Sequence, residues 1–424
     1  MQIINKDLGS YNLHIIKTDQ FKTMTMQVIF HTPIIKKDIT KRNILSDILL
    51  QSTKEYTSHR DLTIKSEELY GADLYTRNRR VGNYIMTSFT IQTLNDKYTE
   101  EGNFEESVKF LHEVLFNPDV EDRKFKEDKL DLVKNNATLA LNSIKENAPN
   151  YSIIRMNEAY DKESPISYRT IGYLEDLESI TEENLYEYYE RMIDNDYVDI
   201  FVLGDINVKD IVPLVKKYFK FKKVKKRKAS YYLPNKIPRK RRLFAKETND
   251  NSQSNLAIAC PISKLSDDDK NYSMLLANII LGETADSKLF KEVREENSLC
   301  YTIRSNYNRL DNLMIIYAGI DKENYDKSVE LITKNIQDMK KGKFTDNDIK
   351  VAKEFFNTSA ELIMESPLGI INEVLHEEIL KVEPLDIRKE KISKITRKDI
   401  IRASKKIDMD TVFLLEGGNE LWKK

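Results

Sequence analysis

The chain has 424 residues, of which 40% are hydrophobic and 32% are charged, and its formal net charge is −1 at pH 7. This balance is typical of a globular protein with enough apolar residues for two cores, and the near-neutral charge gives no field that would favour nucleic acid or acidic lipid. The two cysteines, Cys260 and Cys300, provide neither a disulfide framework nor a metal-ligand spacing. The N-terminus lacks an apolar signal segment, and no apolar run reaches the ~20 residues that a membrane span needs, so we expect a cytoplasmic protein.

Strands and helices alternate irregularly along the first half of the chain. Residues 25–30 are rich in strand-forming residues, and residues 41–54 carry Ile and Leu at helical spacing. Residues 84–93 predict a second strand, and residues 105–115 and 123–145 predict helices. The second half repeats this order, with a predicted strand at 255–260, a helix at 269–282, strands near 300–320, and helices at 323–339 and 345–364. The mixture predicts an α+β fold in which helices pack on one face of a mainly antiparallel sheet.

The two halves follow one sequence pattern, most clearly near their ends. Residues 179–205 and 394–417 both begin with an Ile-Thr step and charged residues, continue as an amphipathic helix and end in an apolar strand. Matching segments upstream keep the same order, and their separation falls from 230 residues (25 to 255) to 215 residues (179 to 394). Ordered matches of this kind indicate a tandem duplication. The alternative is that any two halves built from helices and strands share such patterns.

A basic segment separates the two copies. Residues 221–242 contain eleven Lys or Arg and two prolines, and their apolar periodicity stops. The segment either binds an anionic ligand or is a solvated linker, and we favour the linker. This predicts two tandem duplicated domains, at residues 1–220 and 243–424, joined by the basic linker 221–242.

The segment SKLFKEVREENSLCYTIRSNYNRLDNLMIIYAGID, residues 287–321, combines a basic–acidic run, Leu-Cys-Tyr, a polar strand, and a strand with aromatic and Ala-Gly residues. It resembles the second-domain signature of the pitrilysin/insulinase-type metallopeptidases, in their processing-peptidase-like branch. The first copy follows the family's order of elements as well. The resemblance implies two duplicated α+β domains. It also implies a pair of subunits, of which one carries zinc while the other lends an arginine and a tyrosine to a shared chamber.

The zinc motif of the family is absent from this chain. Active members carry H-x-x-E-H on the first long helix, because histidines four residues apart lie on one helical face and can reach one ion. Here the helix at residues 42–56 has Asn43 and Asp47 where the resemblance puts the histidines and Ser46 where it puts the glutamate. A third ligand, a glutamate, is expected near residues 134–136, where the sequence is KNN. The resemblance therefore implies no metal or other cofactor in this chain and zinc in the partner subunit.

An arginine and a tyrosine seven residues apart, Arg294 and Tyr301, match the family's pair. The resemblance assigns them a catalytic role. Negative charge builds on the carbonyl oxygen when a peptide bond is attacked, a phenol can donate a hydrogen bond to that oxygen, and a guanidinium can hold the substrate's carbonyl groups. The alternative is structural, with Arg294 paired to Glu292 or Glu296 on a surface helix and Tyr301 packed within a strand.

A peptide-binding strand is implied in the first copy. In the family, peptides bind as an added strand along a sheet edge, and the corresponding strand is expected at residues 73–81. Its arginines Arg77, Arg79 and Arg80 would suit acidic residues of a substrate. The same arginines would also protect a solvent-facing edge from aggregation, and the sequence does not separate the two interpretations.

We therefore expect the non-zinc subunit of a heterodimeric zinc peptidase that cleaves short or unfolded peptides. Alone it is expected to be inactive, and its partner is expected to be a zinc-bearing homologue rather than nucleic acid or a membrane. The alternative is a non-catalytic peptide-binding or scaffold protein derived from a peptidase. An active enzyme with an unusual site around Asp47 and Glu55 is disfavoured, because carboxylate ligands suit Mg²⁺ or Ca²⁺ better than Zn²⁺.

Overall fold

The structure, a computed structural model, describes residues 1–224 and 230–418 and divides into two compact units. The first unit contains the described parts of 1–142, 169–229 and 367–372, and the second contains those of 143–168, 230–366 and 373–424. The second unit thus includes a segment, 143–168, that lies in the first half of the chain. The domain limits expected from the sequence, 1–220 and 243–424, stay a prediction.

The basic segment between the predicted domains is described in part, because residues 225–229 lie outside the described residues. Within the second unit, Leu233 is buried, and the backbone N–H of Arg239 donates to Asp410 Oδ2 at 2.7 Å. The guanidinium of Arg239 also pairs with Asp410 and donates to the carbonyl oxygen of Tyr160 at 2.9 Å. This end of the basic segment is therefore attached to the second unit.

The strands of the first unit form a six-stranded sheet and a short hairpin. They are β1 (Gln2–Asp7), β2 (Asn12–Lys17), β3 (Thr23–Pro33), β4 (Asp73–Val81), β5 (Tyr84–Leu94), the hairpin strands β6 (Val120–Glu121) and β7 (Lys124–Phe125), and β8 (Tyr197–Gly204). The order in the sheet is β1-β2-β8-β3-β5-β4, and only the β2–β8 pair is parallel. Strand β4 has the limits expected for the peptide-binding strand and forms one edge of this sheet.

The helices of the first half follow the predicted order. They are α1 (Ile39–Ile48), α2 (His59–Glu68), α3 (Asn103–Phe116), α4 (Glu127–Asn142), α5 (Ala148–Asp161), α6 (Glu182–Asn195) and α7 (Val208–Tyr218). Helix α1 ends earlier than the predicted 41–54, because the N–H groups of Leu50 and Gln51 bond to carbonyls three residues back and tighten the last turn. Thr53 then forms a β-bridge with Pro118.

The second unit has a five-stranded sheet. Its strands are β9 (Leu243–Asn249), β10 (Ser254–Pro261), β11 (Cys300–Asn308), β12 (Leu313–Ile320) and β13 (Thr411–Gly417). Their order is β11-β12-β10-β13-β9, and only the β9–β13 pair is parallel. Strand for strand, this repeats the order β4-β5-β3-β8-β2 of the first unit, including the position of the parallel pair. The structure therefore confirms the predicted α+β duplication.

The remaining helices are α8 (Met274–Asn278), which continues on both sides through helical residues 269–283, α9 (Tyr325–Lys341), α10 (Asp346–Ile363), α11 (Pro367–Leu380), α12 (Leu385–Lys394) and α13 (Arg397–Ser404). The Ile-Thr step shared by the two copies caps equivalent helices. The hydroxyl of Thr181 accepts from the N–H of Asn184 at α6, and that of Thr396 accepts from the N–H of Asp399 at α13. No helix within 1–224 or 230–418 combines the length and apolarity of a membrane span.

Strand β10 of the second sheet is buried on both faces. Leu256 and Ile258 of β10 belong to a core that includes residues of α8, α9 and α13. Their neighbours Ala257 and Ala259 point to the opposite face, because side chains alternate along a strand. There they pack with residues of α5, such as Met156. The helix that follows α4 in the chain thus completes the second core.

A buried carboxylate joins three strands of the first unit. Asp199 of β8 bonds through Oδ1 to His14 Nε2 of β2 at 2.9 Å and through Oδ2 to His31 Nε2 of β3 at 2.6 Å. All three side chains are buried. Burial acts to raise the pKa of Asp199, but the hydrogen bonds and charges of the two imidazoles outweigh it and hold that pKa well below its usual range.

We predict that Asp199→Asn lowers the free energy of unfolding at pH 7 by about 3–5 kcal/mol, because it removes one partner from a fully buried charged network. The pKa of the carboxyl is lower in the folded than in the unfolded state, so its contribution is present above the unfolded value of about 4 and is lost only at lower pH. Urea unfolding of both proteins from pH 7 to pH 3 measures this. The exposed Asp210→Asn is the control; equal stability of wild type and Asp199→Asn at pH 7 would contradict the prediction.

Candidate functional site

The helix face that would bear the zinc motif is held by uncharged hydrogen bonds. Asn43 Nδ2 of α1 donates to the carbonyl oxygens of Ile39 at 2.9 Å and Thr170 at 2.6 Å. Asn78 Nδ2 of β4 donates to Asn43 Oδ1 at 3.1 Å and to Ser46 Oγ at 2.7 Å. Two of the three motif positions therefore serve to attach α1 to β4.

This network continues to a buried ion pair. Asn78 Oδ1 accepts from Thr87 Oγ1 at 2.5 Å, and Thr87 Oγ1 accepts from Arg42 Nε at 2.6 Å. Arg42 is 1% exposed and donates through Nη2 to Asp196 Oδ2 at 2.6 Å and to the carbonyl oxygen of Phe30 at 3.2 Å. Burial acts to lower the pKa of Arg42, but Asp196 raises it, so the arginine stays charged. Helix α1 is thereby attached to β3, β4 and β5.

The residues at the motif positions do not fit a zinc ion. Asn43 and Ser46 offer an amide and a hydroxyl that are already hydrogen-bonded, and Asp47 is the only carboxylate of the three. Asp47 keeps part of its surface in solvent. Its carboxyl is nevertheless partly desolvated, which raises its pKa to about 6. Residues 134–136 on α4 add a lysine and two asparagines. Among the residues that the structure describes, no group of three or more His, Cys, Asp or Glu is placed to hold a metal.

Arg294 and Tyr301 lie on either side of a tight turn in the second unit. Arg294 belongs to the short helical segment Phe290–Glu295, which ends when the N–H of Ser298 bonds to the Arg294 carbonyl at 3.1 Å. Ser298 has a φ of 51°, a left-handed conformation that reverses the chain toward β11. Buried neighbours hold the backbone at both residues. Val293, next to Arg294, is 0% exposed, and Cys300, next to Tyr301, is 8% exposed.

A β-bulge directs Tyr301 to solvent. Cys300 pairs with Ile320 and Thr302 pairs with Gly319, so the register of β11 and β12 shifts between them and leaves Tyr301 as the extra residue. Tyr301 is 64% exposed. Bulges are frequent next to active sites because they re-aim a side chain. The structure therefore does not show Tyr301 packed within the strand, as the structural alternative requires.

The structure also does not show the ion pair of Arg294 with Glu292 or Glu296 that the structural alternative requires. Glu292 bonds instead to Lys288 and Lys334, both at 2.9 Å. The guanidinium carbon of Arg294 lies 4.4 Å from the centre of the Phe290 ring, a cation–π contact that leaves its N–H donors available. The structure thus presents an exposed guanidinium and an exposed phenol, one at each end of the turn.

The three arginines of β4 divide between the two faces of the sheet. Arg80 lies on the same side as Asn78, which faces α1, and its Nη1 donates to the carbonyl oxygen of Gly82 at 2.7 Å. Arg77 and Arg79 lie on the other side. Burial, and then the charge of Arg77, lower the pKa of Arg79. Two of the predicted residues therefore form a like-charged pair beside the edge strand, and the third bonds to the backbone.

The histidine pair on Asp199 is a cluster that the sequence interpretation missed. His14 and His31 are 17 residues apart in the chain, which offers no local ligand spacing, and their carboxylate lies on β8. Only the pairing of β2, β3 and β8 brings them together. Alternating polar residues in otherwise apolar strands are the single signal that could have indicated them.

Two duplicated α+β units, with a hydrogen-bonded amide and hydroxyl at two of the three motif positions, define a peptidase-like chain that lacks the zinc motif. Known proteins are similar to it. The family model described as "Peptidase M16 inactive domain" matches residues 179–356. The chain is 28% identical over 415 residues to the "Probable inactive metalloprotease YmfF" of Bacillus subtilis (strain 168), and the match covers 96% of each protein.

Two further similarities bear on the same point. The chain is 26% identical over 210 residues to the "Uncharacterized zinc protease YmxG" of Bacillus subtilis (strain 168), which covers 47% of this chain and 48% of that one. The crystal structure of a conserved protein from Enterococcus faecalis V583 matches with a TM-score of 0.92, 27% identity and 99% of each chain covered. These similarities support an inactive M16 family member, and the H-x-x-E-H motif is absent from this sequence.

We predict that the combined change Asn43→His, Ser46→Glu and Asp47→His restores the motif without restoring stoichiometric zinc. A zinc site of this kind needs three protein ligands, and residues 134–136 supply no glutamate. Metal analysis after gel filtration in zinc-containing buffer should find far less than one zinc per chain in the variant and in wild type. A full equivalent in wild type would contradict the assignment of this chain as a zinc-free member.

Proposed function

We propose that this chain is the non-zinc subunit of a two-chain peptidase that cleaves short or unfolded peptides, in which a zinc-bearing homologue supplies the metal. In this proposal Tyr301 donates a hydrogen bond to the carbonyl oxygen of the bond being cleaved, and Arg294 binds neighbouring carbonyl groups of the peptide. The observation that carries the proposal is the bulge at Tyr301, which holds a phenol in solvent at 64% exposure on a rigid strand.

The loss of the metal positions and the retention of the donor pair support the same proposal. Asn43 and Ser46 are part of a hydrogen-bonded attachment, so these motif positions do not supply residues that activate water on a metal. Within the described part of the chain, Arg294 contacts the Phe290 ring and Tyr301 is largely exposed, and neither forms an ion pair or a hydrogen bond of its side chain. Exposed hydrogen-bond donors on well-packed backbone can bind a substrate, whereas they contribute little to the stability of the protein itself.

The relatives make a zinc-bearing partner a natural candidate. One organism, Bacillus subtilis (strain 168), has both a relative named as a probable inactive metalloprotease and a relative named as a zinc protease. In a pair of such chains, one chain would supply the metal and the other would supply the hydrogen-bond donors. This supports the search for a homologue with an intact H-x-x-E-H motif in the organism from which this chain comes.

Strand β4 is the proposed docking edge for the peptide. It is the last strand of its sheet, so its outer backbone groups are available for an added strand. Arg77 and Arg79 stand on one face of that edge, where they would attract acidic side chains at alternate positions of a bound peptide. The same edge would serve a non-catalytic peptide-binding protein, which is the second candidate function.

We expect Tyr301→Phe to lower kcat of the mixed two-chain enzyme by about 10²–10³-fold while assembly is unchanged, because one donor to the developing oxyanion is lost. Turnover of a peptide library by the mixture and gel filtration of the complex give the two measurements. The matched control is Tyr98→Phe, which removes the hydroxyl of another tyrosine with 55% exposure.

Two other outcomes would decide against the proposal. If the complex assembles and Tyr301→Phe turns over peptides at the wild-type rate, Tyr301 has no catalytic role. If the chain binds peptides and forms no complex with any zinc-bearing homologue, the peptide-binding candidate replaces the subunit.

A separate prediction concerns the arginines of β4. The double change Arg77→Gln and Arg79→Gln should weaken binding of acidic peptides about three- to tenfold and leave neutral peptides unaffected, and the difference should shrink at high salt. Arg80→Gln is the control, because Arg80 lies on the other face and donates to the carbonyl oxygen of Gly82. Fluorescence anisotropy with labelled peptides measures this; equal losses for acidic and neutral peptides would contradict the assigned role.

A further inference from the structure

The first unit contains a cavity of about 530 Å³ where the start of α1 meets the end of α6. The end of β3 and the starts of β5 and β8 complete its walls, and we call it the α1–α6 cavity. Its volume lies within the range of ~300–1,000 Å³ that is typical of small-molecule sites. The cavity is separate from the motif face of α1, because Asn43, Ser46 and Asp47 are not among its lining residues.

A buried ion pair forms the inner wall of this cavity. Arg42 and Asp196 both line it, and they are 1% and 6% exposed. Asp196 Oδ2 accepts from Arg42 Nη2 at 2.6 Å, whereas Asp196 Oδ1 accepts no hydrogen bond from any residue that the structure describes. A carboxylate oxygen that is removed from bulk water normally has a donor. The inner wall therefore presents a charged acceptor that lacks one.

The donors of Arg42 are largely used by the protein. Its Nε donates to Thr87, and its Nη2 donates to the carbonyl oxygen of Phe30 as well as to Asp196. Its Nη1 lies 3.5 Å from the hydroxyl of Tyr188. A ligand carboxylate at this wall would meet the like charge of Asp196, whereas an ammonium group would donate to Asp196 Oδ1. The inner wall thus favours the amino end of a ligand.

Arg191 of α6 lines the same cavity and is exposed, so it marks the mouth. Its guanidinium carbon lies 4.5 Å from the centre of the Tyr188 ring, and its Nη2 donates to Asp38 Oδ2 at 2.7 Å. These two contacts position the guanidinium. Its other N–H groups can bind a carboxylate through a pair of hydrogen bonds. The mouth thus favours the acidic end of a ligand.

We propose that the α1–α6 cavity binds a small zwitterion, whose ammonium group donates to Asp196 and whose carboxylate binds Arg191. A short peptide and a free amino acid present this same chemistry. Apolar side chains also line the cavity and would pack against an apolar side chain of the ligand; they are Ile35, Ile85, Met192 and Val224.

This proposal does not rest on the proposed peptidase role. It needs no zinc-bearing homologue, so this chain alone can be tested, and failure of one proposal leaves the other in place. The first unit also offers a matched control for Arg191. Arg123 likewise pairs with a carboxylate, that of Glu190, and its guanidinium carbon lies 5.5 Å from the centre of the Tyr186 ring, but it does not line the cavity.

The test is titration calorimetry of the full chain with leucyl-leucine, its N-acetyl form, its C-terminal amide, and free leucine. The amino end is tested on the ligand, because replacing Asp196 would leave Arg42 buried without its counter-charge. We expect leucyl-leucine to saturate one site and acetylation to weaken binding about tenfold or more. The amide should bind about three- to fivefold more weakly, because Arg191 is exposed. Equal binding of leucine identifies an amino acid site, and weaker binding of leucine identifies a peptide site.

Variants test the mouth of the cavity. Arg191→Met should weaken binding of leucyl-leucine about three- to fivefold and leave binding of its amide unchanged, and Arg123→Met should affect neither. A purely structural role of Arg191 would not distinguish the two probes. The proposal is overturned if leucyl-leucine does not saturate wild type at about 10 mM, if the N-acetyl form binds as tightly, or if Arg191→Met weakens both probes equally.

Discussion

The side-chain amide of Asn78 joins helix α1 to the strands β4 and β5. It donates to Asn43 and Ser46 and accepts from Thr87, so each of its hydrogen-bonding atoms is used between α1 and the strands β4 and β5. In the metallopeptidases that this chain resembles, the same helix positions would hold an ion. Here a neutral network attaches the helix to the edge strand.

Buried charges in the first unit have partners within the protein. Asp199 bonds to two imidazoles and Arg42 bonds to Asp196, and these networks serve stability. Arg294 and Tyr301 of the second unit are exposed instead. The contrast separates groups that stabilise the fold from groups that face solvent.

Local patterns predicted the elements of this protein well, and they predicted contacts between distant elements poorly. The limits of β4 and the altered motif at Asn43 follow from the resemblance to the family. The end of α1 at Ile48 does not, because Leu49 is also buried and prolongs the apolar spacing past the last helical turn. Nor does the packing of α5 on the second sheet, since an amphipathic helix records that one face is buried and not which sheet covers it.

Strand β11 shows how far the exposed phenol depends on one irregularity of the backbone. Ile303, Ser305 and Tyr307 are buried, and Tyr307 belongs to the core of the second unit. Side chains alternate between the two faces of a strand, so a regular strand would place Tyr301 on the same buried face. The bulge between Cys300 and Thr302 adds one residue and breaks that alternation, which leaves Tyr301 64% exposed. The position of the phenol is therefore set by the register of β11 against β12 and not by the spacing of residues in the sequence.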